Sequence, residues 1–184
     1  QGETRTGLSI FWPNEGLDEG PILLQKEVAI GPDDTLGSLY FNHLFPMGVD
    51  AMMEALALVR AGKAPAIAQD DTQATYESWC GKKDAGIDWS KPASAVYNLI
   101  RGCNPQPGAW TTHKGAVTQI FDCARSEGGC EPGEVIELAP TGVRVATSDG
   151  AITIKRVRNR TGQKISAAEW VAEAGIRIGD RLGR

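Results

Sequence analysis

The sequence lacks the features of membrane-spanning, secreted and zinc-stabilised proteins. Its 184 residues contain no apolar run long enough to cross a bilayer and no signal-peptide pattern. The cysteines form no CxxC pair, and two histidines are too few to complete a zinc site with them. We therefore expect free thiols in a reducing cytoplasm, no metal and no membrane partner. The residues concerned are Cys80, Cys103, Cys123, Cys130, His43 and His113.

Internal repeats and low-complexity tracts are also absent, and the uneven distribution of charge is the first positive signal. The net charge of −4 combines −7 up to Asp84 with +3 from Ala85 onward. Such an asymmetry predicts two units with different partners. The chain opens at Gln1 without a methionine. This start is typical either of trimming or of the back part of a longer protein.

The first part of the chain predicts two strands and one long helix. Alternating and β-branched residues favour strands at 6–12 and 21–30. Apolar residues at helical spacing run from Leu36 to Val59, after a cap at Asp33 or Asp34, and Pro46 should kink or divide this helix. These elements cannot enclose a core and leave bare strand edges. We interpret residues 1–64 as the last strands and helix of a larger α/β domain.

The second part predicts a small β-barrel behind a linker. Residues 65–88 show no clear period and are interpreted as the linker. A short helix should follow, from Ser90 or Pro92 to about Arg101, and a last helix should begin at a Ser166–Glu169 capping box. Five short strands with a helix on each side favour an OB-like barrel over 89–184. The strands are expected at 109–112, 115–123, 133–139, 142–147 and 151–158, with a tight turn at Asp149-Gly150.

Asp18 is the candidate for chemistry, because it lies in a loop between two strands and between two glycines. Gly16 and Gly20 can take positive φ, which would let the loop turn sharply, and Leu17 should anchor the loop against the sheet. From the residues alone, a solvated acidic turn is the more ordinary interpretation.

A basic segment near the C-terminus is a second candidate. On a strand, Arg156, Arg158 and Arg160 would share one face and could follow a phosphate backbone. A solvated, aggregation-resistant edge is the interpretation we favour, because no aromatic residues alternate with these arginines.

Four segments, in this order and spacing, indicate a family. They are GLSIFWPNEGLDEGPILLQKE, DDTLGSLYFNHLFPMGVDAM, AGIDWSKPASAVYNLIRGCNPQPGAW and the hairpin-rich tail. Together they resemble the formyltransferases that use 10-formyltetrahydrofolate. The resemblance covers essentially the whole chain. It is strongest to the hydrolase domain of 10-formyltetrahydrofolate dehydrogenase and next to methionyl-tRNA formyltransferase.

This resemblance implies a Rossmann-like formyltransferase domain, an OB-like C-terminal domain and 10-formyltetrahydrofolate as formyl donor. It implies a catalytic Asn, His and Asp, of which Asp18 is the Asp. Asn14, Glu15, Gly16 and Leu17 would line the folate site. The Asn and His belong to an upstream segment that these 184 residues do not match, and neither histidine here lies in its motif. The isolated chain is therefore expected to be inactive and to need that missing N-terminal half as its partner.

The acceptor of the formyl group stays open between water, an amine and a charged tRNA. Contact with tRNA through the OB-like domain is the less favoured alternative. A non-catalytic OB-like binding fragment is the hypothesis from another class.

Overall fold

The computed structural model describes residues 2–183. The chain divides into two compact units, one formed by Glu3–Trp79 and the other by residues 80–183 together with Gly2. No helix in the described part of the chain combines the length and apolar character needed to cross a membrane.

The first unit is an antiparallel hairpin covered by a broken helix. Strands β1 (Arg5–Phe11) and β2 (Ile22–Ala29) pair along their length. The helix then runs as α1 (Leu36–Leu39), a π-helical stretch (Tyr40–Leu44) and α2 (Phe45–Arg60). The backbone stays helical through this stretch, and what changes near Pro46 is the type of helix, because α2 begins one residue earlier and places the proline in its first turn.

The helix start shows a small error in the prediction. The N-cap is Thr35, which forms a reciprocal capping box with Ser38. Asp34 instead accepts hydrogen bonds from the Gly31 N–H and the Ser38 hydroxyl. The expected aspartate thus stabilises the turn before the helix rather than its first residue.

The core of the first unit is very small. Its buried apolar side chains are Leu23, Leu39, Ala51 and Ala55. The prediction that two strands and one helix cannot enclose a complete core is therefore confirmed. Large side chains of the helix remain exposed instead.

The second unit is a sheet with one helix before it and one after its last strand. Helix α3 (Ala93–Gly102) comes first, and α4 (Ala167–Ala174) follows the strands. The strands are β3 (Ala109–His113), β4 (Ala116–Ser126), β5 (Val135–Ala139), β6 (Gly142–Ala146), β7 (Ala151–Arg158) and β8 (Lys164–Ser166). Their order is β3-β4-β7-β6-β5, with β8 paired to β7. All five predicted strands are confirmed, and the short β8 was not predicted.

The sheet path ends at β3 and β5, and no closed barrel is found among residues 2–183. The segment 179–183 makes backbone hydrogen bonds to both outer strands. Val135 donates to the Asp180 carbonyl at 2.8 Å, and Gly183 donates to the Thr112 carbonyl at 2.9 Å. The OB-like barrel stays a prediction, while the mixed α/β architecture is established.

Local sequence signals explain several of these elements. Ser166 and Glu169 form the predicted capping box of α4, and Gly175 ends that helix at φ 62°. The predicted Asp149-Gly150 hairpin joins β6 to β7. Asp149 has a second role, since its Oδ1 accepts the Ala93 N–H at 2.7 Å and so satisfies a free donor at the start of α3.

Candidate functional site

The loop between β1 and β2 holds Asp18 in an unusual backbone conformation. Asp18 has a φ of 58°, in the left-handed region that few residues other than glycine, asparagine and aspartate occupy. The loop begins with a small turn, in which the Gly16 N–H donates to Asn14 Oδ1 at 3.1 Å. Residues in sparsely populated conformations cluster at functional sites, which makes Asp18 a candidate from its geometry as well as its chemistry.

The glycines of the loop act differently from the prediction. Neither Gly16 nor Gly20 is among the residues with positive φ, and Asp18 makes the left-handed turn instead. Gly20 is required for space, because a Cβ atom there would lie 1.7 Å from the Trp12 carbonyl oxygen. This contact brings the two ends of the loop together.

Gln69 fixes the loop from a distant part of the chain. Its Nε2 donates to the carbonyl oxygens of Asp18 and Gly20, both at 2.7 Å. The segment before Gln69 is held against β2, where Ile67 and Ile22 exchange backbone hydrogen bonds of 2.7 and 2.9 Å. Sequence reasoning missed Gln69, since nothing local marks a glutamine in a segment without a period.

The Asp18 loop borders a groove of about 1020 Å³ within the first unit. Among the predicted site residues, Asp18 and Leu17 line this groove, whereas Asn14, Glu15 and Gly16 do not. Leu17 is 69% exposed, so the expectation that it anchors the loop against the sheet was wrong. The hydrogen bonds from Gln69 provide that anchor instead.

The lining of the groove is acidic, and one of its carboxylates, that of Asp70, already accepts hydrogen bonds from neighbouring residues. Hydrogen bonds from Thr72, and then Gln73, lower the pKa of Asp70 below its usual value. A carboxylate with a lowered pKa is a weaker proton acceptor. No hydrogen bond within residues 2–183 reaches the side chain of Asp18, so its exposed carboxylate is available for a ligand. The acidic lining residues are Asp18, Glu19, Asp70, Asp71 and Glu77.

Neither histidine is among the residues that line this groove. His43 is exposed in the π-helical stretch. His113 is 4% exposed, and its Nε2 lies 2.8 Å from Asp180 Oδ2. That hydrogen bond is the largest cause of a pKa of about 2 for Asp180. In the described part of the chain, no group of three side chains could hold a metal ion.

The three arginines of the basic segment do not form one strand face. β7 ends at Arg158, so Arg160 lies in the following turn, and Arg156 is exposed on the strand. Arg158 is half-buried, where it donates to Gln119 Oε1 at 3.1 Å and lies 4.8 Å from the Phe121 ring centre.

A groove of about 790 Å³ does collect positive charge in the second unit. Arg158 and Arg160 line it, and Arg156 does not. Its other lining cations are Lys82 and Lys114. Within residues 2–183, no aspartate or glutamate lines this groove. The prediction from sequence therefore found two of its four cations.

Comparisons with known proteins agree with this architecture. A family model described as the C-terminal domain of formyl transferases matches residues 80–175, and one described as formyl transferase matches residues 1–56. A crystal structure of HypX from Aquifex aeolicus in complex with tetrahydrofolic acid shares the fold, with a TM-score of 0.74 at 22% identity. The match covers 97% of this chain and 32% of that chain.

Several curated proteins are similar to this chain in sequence. Mitochondrial 10-formyltetrahydrofolate dehydrogenase of Homo sapiens is 36% identical over 179 residues, which is 92% of this chain and 19% of that protein. Methionyl-tRNA formyltransferase of Heliobacterium modesticaldum is 36% identical over 192 aligned residues, which is 99% of this chain and 60% of that protein. The chain thus spans less than two thirds of each relative.

The fold and both family models define a formyl transferase architecture. The chain belongs to the formyl transferase family, as its sequence motifs indicated.

Proposed function

We propose that this chain is part of an enzyme that takes the formyl group from 10-formyltetrahydrofolate and passes it to water or an amine. The observation that carries this proposal is the free carboxylate of Asp18, on a loop clamped by Gln69 beside a groove. The names of the curated relatives support the donor, since one is a 10-formyltetrahydrofolate dehydrogenase and another a methionyl-tRNA formyltransferase.

The chemistry requires a positioned base. A nucleophile attacks the formyl carbon, its new bond to carbon forms as an oxyanion develops, and the bond from that carbon to folate N10 then breaks. The nucleophile must lose a proton. Asp18 would accept this proton or hold a protonated neighbour in place. The clamp from Gln69 suits this role, because misplacing a catalytic group lowers the rate steeply.

We propose a domain assignment to go with this activity. Residues 1–64 would be the end of the formyltransferase domain, 65–88 a linker and 89–184 an OB-like domain. The bonds from 179–183 to both outer strands support the OB-like arrangement. The partner of residues 1–64 would be the upstream half that supplies the Asn and His. The four free cysteines are consistent with a cytoplasmic location.

The experiment is a formyl-release assay on the chain extended by an upstream formyltransferase segment. The extended protein is incubated with 10-formyltetrahydrofolate alone, with small amines and with charged initiator tRNA. Formate release without acceptor would establish the hydrolase, and formylated product would establish the transferase. If the extended protein neither releases nor transfers a formyl group under any of these conditions, the proposal is contradicted.

One observation favours tRNA as a second candidate partner. Lys82, Lys114, Arg158 and Arg160 line one groove of the second unit, together with the side chain of Trp110. Phosphate contacts of this kind would weaken as salt rises. RNA binding by the full chain should then fall in Lys114→Ser/Arg160→Ser but not in Lys155→Ser. Absence of RNA binding at low salt would exclude this alternative.

A further inference from the structure

The second unit contains a cavity that the proposed formyl transfer does not use. Its volume is about 480 Å³, and the residues that line it come from the β3–β4 hairpin, the turn after β7 and helix α4. This volume falls within the range of small-molecule sites, which is about 300–1,000 Å³. We call it the His113 cavity, and its wall includes His113, Lys114, Thr118, Arg160, Trp170 and Glu173.

His113 is fixed at the wall of this cavity with one ring nitrogen left without a partner. The pKa of Asp180 is lowered to about 2, so this carboxylate is ionised at neutral pH and accepts the N–H of His113 Nε2 at 2.8 Å. Nδ1 is then an acceptor in the neutral ring and a donor in the protonated ring. Within residues 2–183, no hydrogen bond reaches Nδ1. The ring is therefore held in one orientation with a free polar atom.

Two further buried polar side chains line the cavity. Trp170 is 2% exposed and Thr118 is 5% exposed, yet in the described part of the chain neither the indole N–H nor the hydroxyl makes a hydrogen bond. The other buried tryptophan of this unit differs, because Trp89 Nε1 donates to Thr111 Oγ1 at 2.9 Å. Buried polar side chains are ordinarily paired, so three unpaired ones around one cavity indicate a ligand.

The free polar atoms of these side chains keep contact with accessible space. Among residues 2–183, the side-chain atoms that are both fully enclosed and unpaired are Arg144 Nε and Arg158 Nε. His113 Nδ1, the Thr118 hydroxyl and Trp170 Nε1 are not among them. The small accessible surface of these three nearly buried side chains therefore faces the cavity that they line.

The charged residues of the cavity favour an anion. Lys114 and Arg160 are exposed cations at its wall. Within residues 2–183, the one carboxylate that lines it belongs to Glu173, so the formal charge of the lining is +1 with His113 neutral. The Glu173 carboxylate accepts hydrogen bonds from Asn159 Nδ2 at 3.1 and 3.5 Å, which hold it on that side of the cavity. An anionic group would therefore bind beside the two cations.

The backbone of Lys114 is held in a conformation that is unusual for lysine. Lys114 and Gly115 form the turn between β3 and β4, with φ of 49° and 79°. The first of these two positions ordinarily holds asparagine, aspartate or glycine. Lys114 Nζ donates to Asp180 Oδ2 at 3.3 Å, so one carboxylate positions both the ammonium group and the His113 ring. Residues in such conformations cluster at functional sites.

We propose that the His113 cavity binds a small hydroxylated anion, either a sugar phosphate or a hydroxy acid. Its phosphate or carboxylate would lie against Lys114 and Arg160. Its hydroxyl groups would donate to His113 Nδ1 and accept from Trp170 Nε1, since a hydroxyl can do both. This site goes beyond the proposed function, because it lies entirely in the second unit and takes no part in formyl transfer.

The experiment follows the imidazole nitrogens of the full 184-residue chain by NMR. The chain has only two histidines, so His43→Gln assigns the His113 signals. The two probes are ribose 5-phosphate and gluconate, which distinguish the phosphate from the carboxylate ligand. At least one of them should shift the Nδ1 signal of His113 to saturation, with a Kd of about 1 mM or tighter. Ribose and inorganic phosphate, which carry only the hydroxyls or only the charge, should bind at least about tenfold more weakly.

Two variants and one matched control test the geometry of the site. Arg160→Ser should weaken binding of the same probe by about tenfold, because it removes a charged hydrogen-bond donor. Trp170→Phe, which keeps an aromatic ring but lacks the N–H, should weaken binding by about fivefold. Arg156→Ser is the control, since Arg156 is an exposed cation of β7 that does not line the cavity, and it should bind the probe like the wild type.

No shift of the His113 signals with either probe at about 20 mM would overturn the proposal. So would equally tight binding of inorganic phosphate, or equal losses of affinity in Arg156→Ser and Arg160→Ser, because both results would show unspecific attraction of charge. Should Trp170→Phe fail to fold, Arg160→Ser decides alone, since its side chain is exposed. Shifts of His113 caused by tRNA but by neither small probe would assign the cavity to the tRNA alternative and overturn the small-molecule site.

Discussion

At the scale of single residues, the Asp18 loop depends on one close backbone contact. Gly20 leaves no room for a side chain, because a Cβ atom would lie 1.7 Å from the Trp12 carbonyl oxygen. At Gly16 a Cβ atom would meet Glu19 Oε2 at 2.0 Å. That oxygen is the end of a flexible side chain that can move away. The two glycines therefore make a matched pair for testing the loop.

We predict that Gly20→Ala destabilises the first unit by about 1–3 kcal/mol, as other overpacked sites do. Gly16→Ala should change stability by no more than about 0.5 kcal/mol. Hydrogen exchange measured by mass spectrometry on peptides from residues 12–25 checks this difference. Equal protection factors in the two variants would show that the contact with Trp12 does not hold the loop.

The sequence predicted where the candidate carboxylate lies but not how it is held. Asp18 follows from the local pattern of strand, loop and strand. Its clamp does not, because the clamp depends on Gln69, which lies 51 residues away in the chain. His113 shows the same limit, since the partner that buries it, Asp180, comes near the end of the sequence.

At the scale of secondary-structure elements, the start of α3 depends on the hairpin between β6 and β7. Pro92 is the N-cap and offers no side-chain hydrogen bond. Asp149 Oδ1 accepts the Ala93 N–H in its place. A negative charge beside the N-terminus of a helix is also favourable for the helix dipole.

We predict that Asp149→Ala lowers the free energy of unfolding of the second unit by about 1 kcal/mol, the usual cost of losing a cap. Asp149→Asn should lose less stability, since the side-chain amide oxygen still accepts the Ala93 N–H and asparagine suits the turn. Urea unfolding followed by circular dichroism measures both. A larger loss for Asp149→Asn than for Asp149→Ala would contradict the capping role.

Elements with strong local signals were predicted well. The capping box of α4 and the hairpin at Asp149-Gly150 are examples, because the residues that define them are neighbours in sequence. The start of α1 was placed one or two residues early, and the π-helical stretch was not predicted. Both errors arise where several polar residues compete to cap or where a proline follows within one turn.

At the scale of the whole molecule, acid should lower the stability of the second unit through Asp180. The hydrogen bond with His113 is the main reason that the pKa of Asp180 is lowered to about 2 from an ordinary value of 3.8. A carboxyl group whose pKa is lower in the folded than in the unfolded protein stabilises the fold at pH values above its unfolded pKa. This contribution is lost as the pH falls through its folded pKa. The stability that Asp180 contributes should therefore be lost between pH 4 and pH 2.

We predict that the wild-type chain loses on the order of 2 kcal/mol of stability across that window through this group. Asp180→Asn, which cannot ionise, should start less stable at pH 6 and lose correspondingly less on acidification. Urea midpoints at several pH values provide the measurement. Parallel pH profiles for the two proteins would rule out the contribution of Asp180.

The sequence predicted the incomplete core of the first unit better than it predicted the arrangement of the sheet in the second unit. The shortage of core in residues 1–64 follows from counting apolar elements, and the structure buries only four apolar side chains there. The arrangement of 179–183 could not be predicted, since this segment has little periodicity and makes its backbone bonds to strands distant in the chain.

The most direct test of the central claim is the turnover of 10-formyltetrahydrofolate by the upstream-extended protein with Asp18→Asn. Asparagine tolerates the positive φ, so the loop should keep its shape while losing its charge. The account predicts a fall of about 10²–10⁴ in kcat, with unchanged stability and with normal turnover in the control Asp50→Asn. Wild-type turnover in Asp18→Asn would show that this carboxylate does not take part in formyl transfer.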